Sequence, residues 1–137
     1  MNNAFPITIY HNPKCGTSRN TLEMIKAAGY EPTVVEYLQT GWNIEQLREL
    51  SKAVGIEVLL RTKEKLAQEL GLMAEGIADE LILNAMVANP VLVNRPIVVT
   101  PKGTKLCRPA EIVFSLLDRV PISFVKEDGQ LIKIDSN

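Results

Sequence analysis

Cys15 is the residue of this sequence best placed for chemistry, because it lies in a loop between a short apolar run and the start of a predicted helix. Backbone N–H groups at a helix N-terminus carry partial positive charge, which stabilises a thiolate and also binds anions. Gly16 permits a close approach of the backbone, and Thr17 or Ser18 could cap the helix or hydrogen-bond a bound oxygen. The loop therefore predicts a cysteine nucleophile that attacks a small tetrahedral oxyanion.

The spacing around Cys15 matches neither of two common cysteine motifs. A protein tyrosine phosphatase loop needs arginine at position 21, where this chain has Thr21, and a dithiol redox site needs cysteine at position 18, where it has Ser18. Cys15 is therefore predicted to be a monothiol. Once oxidised, it needs a thiol from outside the chain, or Cys107, to resolve it.

Positive charge is predicted to surround this cysteine. His11 and Arg19 lie near it in the sequence, although a lone histidine is often only a structural hydrogen-bonding group. Guanidinium groups match tetrahedral oxyanions through paired hydrogen bonds. Most single arginines are solvated surface charges, but those in loops or at element ends with apolar neighbours are better candidates. The candidate arginines for the anion site are Arg61, Arg95 and Arg108.

The elements that position these residues alternate between strands and helices. Short β-branched and apolar runs predict strands at 7–10, 33–37, 96–100 and 104–107. Apolar residues at helical spacing predict helices at about 18–29, 44–54, 63–70, 79–88 and 109–117. A strand, a helix and a strand over about thirty residues predict a right-handed βαβ unit with parallel strands.

The order βαβ, helices, ββα is that of the thioredoxin-like fold with a helical insertion between its halves. We predict one α/β domain over residues 1–137: a four-stranded mixed sheet with flanking helices, an insertion at about 43–89 and a C-terminal tail at about 121–137. In this fold the loop of Arg95 and Pro96 lies beside the cysteine and often carries a cis proline. The tail is predicted as two β-like runs joined by a turn at 126–129.

Composition excludes several classes of protein. The formal charge is −1, and a weakly acidic chain is a poor nucleic-acid binder because phosphate affinity comes mostly from basic surface. No stretch approaches the ~20 apolar residues of a membrane helix, and the N-terminus lacks the pattern of a signal peptide. We therefore predict a cytoplasmic protein whose Cys15 and Cys107 are free thiols. With His11 they provide too few ligands for a metal site.

Several blocks of the sequence resemble the glutaredoxin-coupled arsenate reductase (ArsC) family. The blocks are ITIYHNPKCGTSRNT at 7–21, NRPIVVTP at 94–101 and LCRP at 106–109. Leu59-Leu60-Arg61 is similar to the remaining arginine position of the family. The resemblance runs from about residue 7 to residue 117. Taken together, these blocks are far more specific than a lone short motif.

The resemblance implies an arsenate reductase of arsenical resistance, in which Cys15 forms a thiol–arsenate adduct while His11 and Ser18 help to keep it a thiolate. The arsenate oxygens would be held by Arg61, Arg95 and Arg108. Glutathione, as co-substrate, would attack the adduct, arsenite would leave, and glutaredoxin would reset the Cys15–glutathione disulfide. No bound cofactor or metal is implied, Cys107 is not required, and we expect a monomer.

Two other interpretations stay open. One is a related thioredoxin-fold thiol reductase of unknown substrate, and the other is a non-enzymatic regulator of the same fold that binds a protein partner. Arg95 and Arg108 beside Cys15 favour an enzyme, because a docking surface has no need of convergent arginines behind a thiol. A related regulator that binds RNA polymerase carries Cys-x-x-Cys, which this chain lacks.

Overall fold

The computed structural model describes residues 5–134. The chain divides into two compact units, the first formed by the segments up to Glu36 and from Arg95 onward, the second by Tyr37–Asn94. Among residues 5–134, no helix has both the length and the apolar character that crossing a membrane requires.

The first unit is built on a mixed sheet. Its strands are β1 (Thr8–Tyr10), β2 (Thr33–Val35), β3 (Ile97–Thr100) and β4 (Gly103–Leu106). The strand order is β2-β1-β3-β4, with β1 parallel to β2 and antiparallel to β3, and β3 antiparallel to β4. Helix α1 (Gly16–Ala27) connects the two parallel strands. The predicted four-stranded mixed sheet and its βαβ unit are confirmed.

The core of the first unit is formed by the sheet, α1 and a 3-10 helix at Ala110–Leu116. Ile9, Ile25 and Val98 are fully buried in it. The prediction placed an α-helix at about 109–117, but the backbone follows the tighter 3-10 path. Ala110, Val113 and Leu116 are all buried, and residues three apart share one face of a 3-10 helix, which has three residues per turn.

The tail forms a hairpin, with β5 (Ser123–Val125) antiparallel to β6 (Leu131–Lys133). The turn is closed where the Lys126 N–H donates to the Gln130 carbonyl at 2.9 Å. Gly129 adopts φ +93° there, in the left-handed region that glycine tolerates. The predicted turn between two β-like runs is confirmed.

The second unit is helical. It contains α2 (Tyr37–Thr40), α3 (Ile44–Val54), α4 (Ile56–Leu59), α5 (Lys65–Glu69), α6 (Asp79–Ala88) and a 3-10 helix at Pro90–Leu92. Asn43 and Gln46 form a reciprocal capping box at the start of α3. The predicted strand at 33–37 ends two residues early, because Tyr37 opens α2 and stacks on Trp42 with ring centroids 5.2 Å apart.

Candidate active site

Cys15 is the N-cap residue of α1, with an extended backbone at φ −100° and ψ 121°. Its carbonyl accepts the first helical hydrogen bond, from the N–H of Arg19 at 2.9 Å. The helix thus begins earlier than predicted. The predicted capping by Thr17 or Ser18 is wrong, because both residues lie inside the first turn and no side chain caps the helix. The thiol itself stands where the helix presents its free N–H groups.

The segment from His11 to Cys15, here called the nucleophile loop, is held on its inner side by Ser18. The Ser18 hydroxyl lies 2.6 Å from Nδ1 of His11 and accepts the N–H of Asn12 at 3.0 Å. Asn12 in turn accepts the N–H of Lys14 on Oδ1 at 2.9 Å and the N–H of Cys15 on its carbonyl at 3.0 Å. Since Ser18 is fully buried, these bonds fix the path of the chain into the nucleophile.

His11 contributes a hydrogen bond to this network rather than a positive charge. Burial lowers the pKa of the imidazole, Arg19 and Lys26 lower it further, and Glu36 opposes them only in part. The ring is therefore neutral near pH 7. Its contact with Ser18 is the means by which it acts on the nucleophile loop.

The Cys15 thiol has a pKa below its ordinary value. Burial by itself raises this pKa, but the backbone N–H of Ser18 and the charges of Arg95 and Arg108 together outweigh burial. The Nη1 atom of Arg108 lies 3.6 Å from Sγ. Hydrogen bonding to the charged form and nearby opposite charge both favour a thiolate. The site thus shifts the thiol toward its nucleophilic thiolate form.

The pairing of β3 with β4 brings the two arginines to the same end of the sheet. Ile97 lies opposite Leu106 in this hairpin. Arg95 stands just before β3 and Arg108 just after β4, and Nη1 of Arg108 donates to the Arg95 carbonyl at 3.3 Å. Tyr10, the last residue of β1, lies opposite Ile97. The nucleophile loop therefore leaves the sheet at this same end.

Both of these arginines precede a cis proline. The Arg95–Pro96 and Arg108–Pro109 peptide bonds are cis, which confirms the expectation for Pro96. The Pro96 carbonyl accepts the N–H of Cys107 at 2.9 Å. A backbone hydrogen bond thus joins the loop that carries Arg95 to the loop that carries Arg108.

Cys107 has the opposite environment to Cys15. It is fully buried in the core cluster, and burial raises the pKa of its thiol to about 12, with only a small opposing effect from Lys105. The thiol donates to the Lys105 carbonyl at 3.8 Å. A buried, protonated thiol is a poor nucleophile for thiol–disulfide exchange.

Arg61 belongs to the second unit. Its backbone N–H donates to the Leu92 carbonyl at 2.8 Å, next to the isolated bridge between Leu60 and Val93. Its Nη1 atom lies 3.3 Å from Oε2 of Glu64, and 27% of its side chain is exposed. These contacts anchor the backbone of Arg61 and leave part of its side chain exposed.

Asn12 shapes the nucleophile loop, a role that was not predicted from the sequence. Its side-chain oxygen accepts the N–H of Lys14, two residues later, which forms a local turn that is common for asparagine. Its position directly before Pro13 is the feature that could have indicated this role. Within residues 5–134, no group of three or more His, Cys, Asp or Glu side chains is arranged to hold a metal ion.

A thioredoxin-like sheet that presents a cysteine of lowered pKa beside two arginines is typical of an enzyme that attacks an anion through a thiolate. The model of the ArsC family matches residues 10–115. The chain is 55% identical over 129 residues to the arsenate reductase ArsI2 of Synechocystis sp., covering 92% of each chain. It is 51% identical over 133 residues to an arsenate reductase of Escherichia coli, covering 95% of this chain and 94% of that one.

A solved structure agrees with these sequence comparisons. The arsenate reductase from Vibrio cholerae superposes with a TM-score of 0.80 at 38% identity, covering 84% of this chain and all of the other. The chain belongs to the ArsC family. The resemblance found in the sequence blocks is thereby confirmed.

Proposed function

We propose that this chain is an arsenate reductase in which Cys15 attacks arsenate while Arg95 and Arg108 hold the oxyanion. The observation that carries the proposal is the convergence of Arg108 on Cys15, with 3.6 Å between Nη1 and Sγ. A cation that stabilises the thiolate is also in place to hold an oxygen of the anion being attacked. Arsenate reductases that are 50–55% identical to this chain support the same substrate.

In the first step, the Cys15 thiolate attacks arsenic and forms the S–As bond. One oxygen of arsenate leaves as water once it has been protonated, and arsenic stays in its higher oxidation state. The guanidinium groups offset the negative charge that collects on the remaining oxygens. We assign this role to Arg95 and Arg108, and the resemblance to the ArsC family extends it to Arg61. His11 and Ser18 hold the nucleophile loop during the attack.

In the second step, the thiolate of glutathione attacks Sγ of Cys15. A disulfide forms, the S–As bond breaks, and its electron pair stays on arsenic, which leaves as arsenite. Two thiols have then supplied the two electrons. A glutaredoxin thiol finally exchanges with the mixed disulfide and restores Cys15. Because glutathione and glutaredoxin are kept reduced in the cytoplasm, we place the reaction there.

The proposed cycle needs a thiol from outside the chain, because neither residue 18 nor Cys107 offers a reactive thiol to oxidised Cys15. Position 18 carries the hydroxyl of Ser18, which is already bound to His11 and to the N–H of Asn12. Cys107 is buried, with its thiol pKa raised to about 12. Both features favour the monothiol cycle over an internal disulfide.

The test is arsenate-dependent oxidation of NADPH in the presence of glutathione, glutaredoxin and glutathione reductase, with each component left out in turn. We expect turnover only when all are present, and none with Cys15→Ser. Full turnover without glutathione would contradict the monothiol cycle. No turnover from folded protein whose Cys15 still reacts with thiol reagents would favour a related thiol reductase of another substrate, or a partner-binding regulator.

A further inference from the structure

The outer side of the nucleophile loop is held by Arg19, which is itself held by Glu127, 108 positions later in the chain. Arg19 donates from Nη1 to the carbonyl of Pro13 at 2.9 Å. The rest of its guanidinium pairs with Glu127, with Nε at 3.0 Å from Oε2 and Nη2 at 2.7 Å from Oε1. This two-pronged geometry fixes the plane of the guanidinium. Glu127 therefore determines where Arg19 can hold the Pro13 carbonyl.

Glu127 is itself seated on the start of α1. Its backbone N–H donates to Oδ1 of Asn20 at 2.9 Å. A Cβ atom on Gly16 would lie only 3.1 Å from Oε1 of Glu127, so the carboxylate packs against the first residue of the helix. The adjacent Lys126 forms an ion pair with Glu111 at 2.8 Å, which anchors the hairpin turn from its other side.

The position of this pair indicates a role beyond stability. The Arg19 and Glu127 side chains are 45% and 44% exposed, and exposed ion pairs contribute little to folding. Pro13 precedes Cys15 by two residues, and Arg19 lies close enough to Cys15 for the two charges to interact. Ser18 holds the inner side of the nucleophile loop and Arg19 the outer side.

We propose that Glu127 is a positioning residue for Cys15, acting through Arg19 to hold the Pro13 carbonyl and so to keep the thiolate aligned with Arg108 and the Ser18 N–H. The catalytic part of this proposal rests on the proposed arsenate reduction. The alignment of the thiolate does not, because it can be measured from the reactivity of Cys15 alone.

The test compares Glu127→Gln, Arg19→Gln and the double variant with the unsubstituted protein. Glu80→Gln is the matched control, since Glu80 forms a similar pair with Arg48, with 57% and 41% of the side chains exposed. The rate of Cys15 alkylation by iodoacetamide is followed against pH, with the Cys15 peptide identified by mass spectrometry. Steady-state kcat and KM for arsenate are measured on the same samples.

We expect both single variants to move the alkylation midpoint to higher pH, because a loosened loop weakens the contacts that stabilise the thiolate. We expect kcat to fall about tenfold with KM unchanged, since misplacement of a reacting group acts on the chemical step. The double variant should have the same alkylation midpoint and kcat as either single variant, because the two residues act as a unit. Glu80→Gln should match the unsubstituted protein.

Opposite shifts would overturn the proposal. If Glu127→Gln lowers the alkylation midpoint while Arg19→Gln raises it, Glu127 acts only as a counter-charge to Arg19. An alkylation profile equal to that of Glu80→Gln would overturn it as well. If the unsubstituted protein does not reduce arsenate, the proposed function fails, and the alkylation profiles still decide whether Glu127 positions Cys15.

Discussion

The Nη1 atom of Arg108 lies 3.6 Å from the Sγ atom of Cys15, although 93 positions separate the two residues in the chain. The βαβ unit places the cysteine in the loop that follows β1, and the β3–β4 hairpin returns the arginine to the same end of the sheet. The same contact favours the thiolate, and in the proposed reaction it faces the oxyanion. The predictions below depend on this relationship.

Arg95→Ala and Arg108→Ala should each lower kcat/KM for arsenate by about 10²-fold or more, because each removes a preorganised donor from the developing charge. Arg19→Ala should cost about tenfold or less, since Arg19 acts on the loop and not on the anion. Steady-state kinetics in the coupled assay measures all three. Equal losses in the three variants would show that the anion site is assigned to the wrong arginines.

The reactivity of Cys15 should persist to lower pH than that of an ordinary cysteine, since its thiol pKa is lowered. As pH falls through this lowered pKa, the thiolate is protonated and the alkylation rate declines. Arg108→Ala removes a hydrogen bond and a positive charge, so the midpoint should move to higher pH. Lys105→Ala is the control, because Lys105 is an exposed cation that bonds Ser115 and affects Cys107 rather than Cys15. A midpoint that does not respond to Arg108→Ala would contradict the assigned contact.

Ser18→Ala should lower the free energy of unfolding by about 1–3 kcal/mol, because it leaves the buried Asn12 N–H and the His11 ring without their partner. Urea unfolding measures the change. Ser51→Ala is a suitable control, since the Ser51 hydroxyl only donates to the Arg48 carbonyl within its own helix. Equal effects of the two substitutions would mean that the nucleophile loop does not depend on Ser18.

Stability should fall as pH drops below about 6.5, the ordinary pKa of histidine. The folded-state pKa of His11 is lowered, so the unfolded chain binds a proton at a pH where the folded chain does not. The stabilisation is complete above the unfolded pKa and is lost as pH falls through the folded one. The chain has a single histidine, but the lowered thiol pKa of Cys15 also makes stability depend on pH. Urea unfolding at pH 7.5 and 5.5 is therefore compared between the unsubstituted protein and His11→Gln, which should lose less stability on acidification. An equal loss in the two proteins would contradict the assignment to His11.

The fold was largely predictable because its elements are locally encoded. Thr8–Tyr10 and Ile97–Thr100 are β-branched runs, and the helix between β1 and β2 shows apolar spacing that survives in the structure. The 3-10 helix at Ala110–Leu116 was predicted as an α-helix, since apolar residues three and four apart fit both types. Only packing on the core selects between the α-helix and the 3-10 helix.

The site was predictable where one residue type carries the chemistry. Cys15 follows from its place before a helix, and Arg95 and Arg108 from their places in loops at the ends of predicted strands. The proposed role of Glu127 was not predictable, because its contact with Arg19 spans 108 positions and depends on how the terminal hairpin docks. The substrate contacts of Arg61 stay a prediction.

The most direct test of the account is intact-mass and peptide mass spectrometry after arsenate and glutathione are added without glutaredoxin. We predict one glutathione on Cys15, formed only when arsenate is present, and the same product from Cys107→Ser. A disulfide between Cys15 and Cys107, or glutathione bound at Cys15 regardless of arsenate, would contradict the proposed monothiol mechanism.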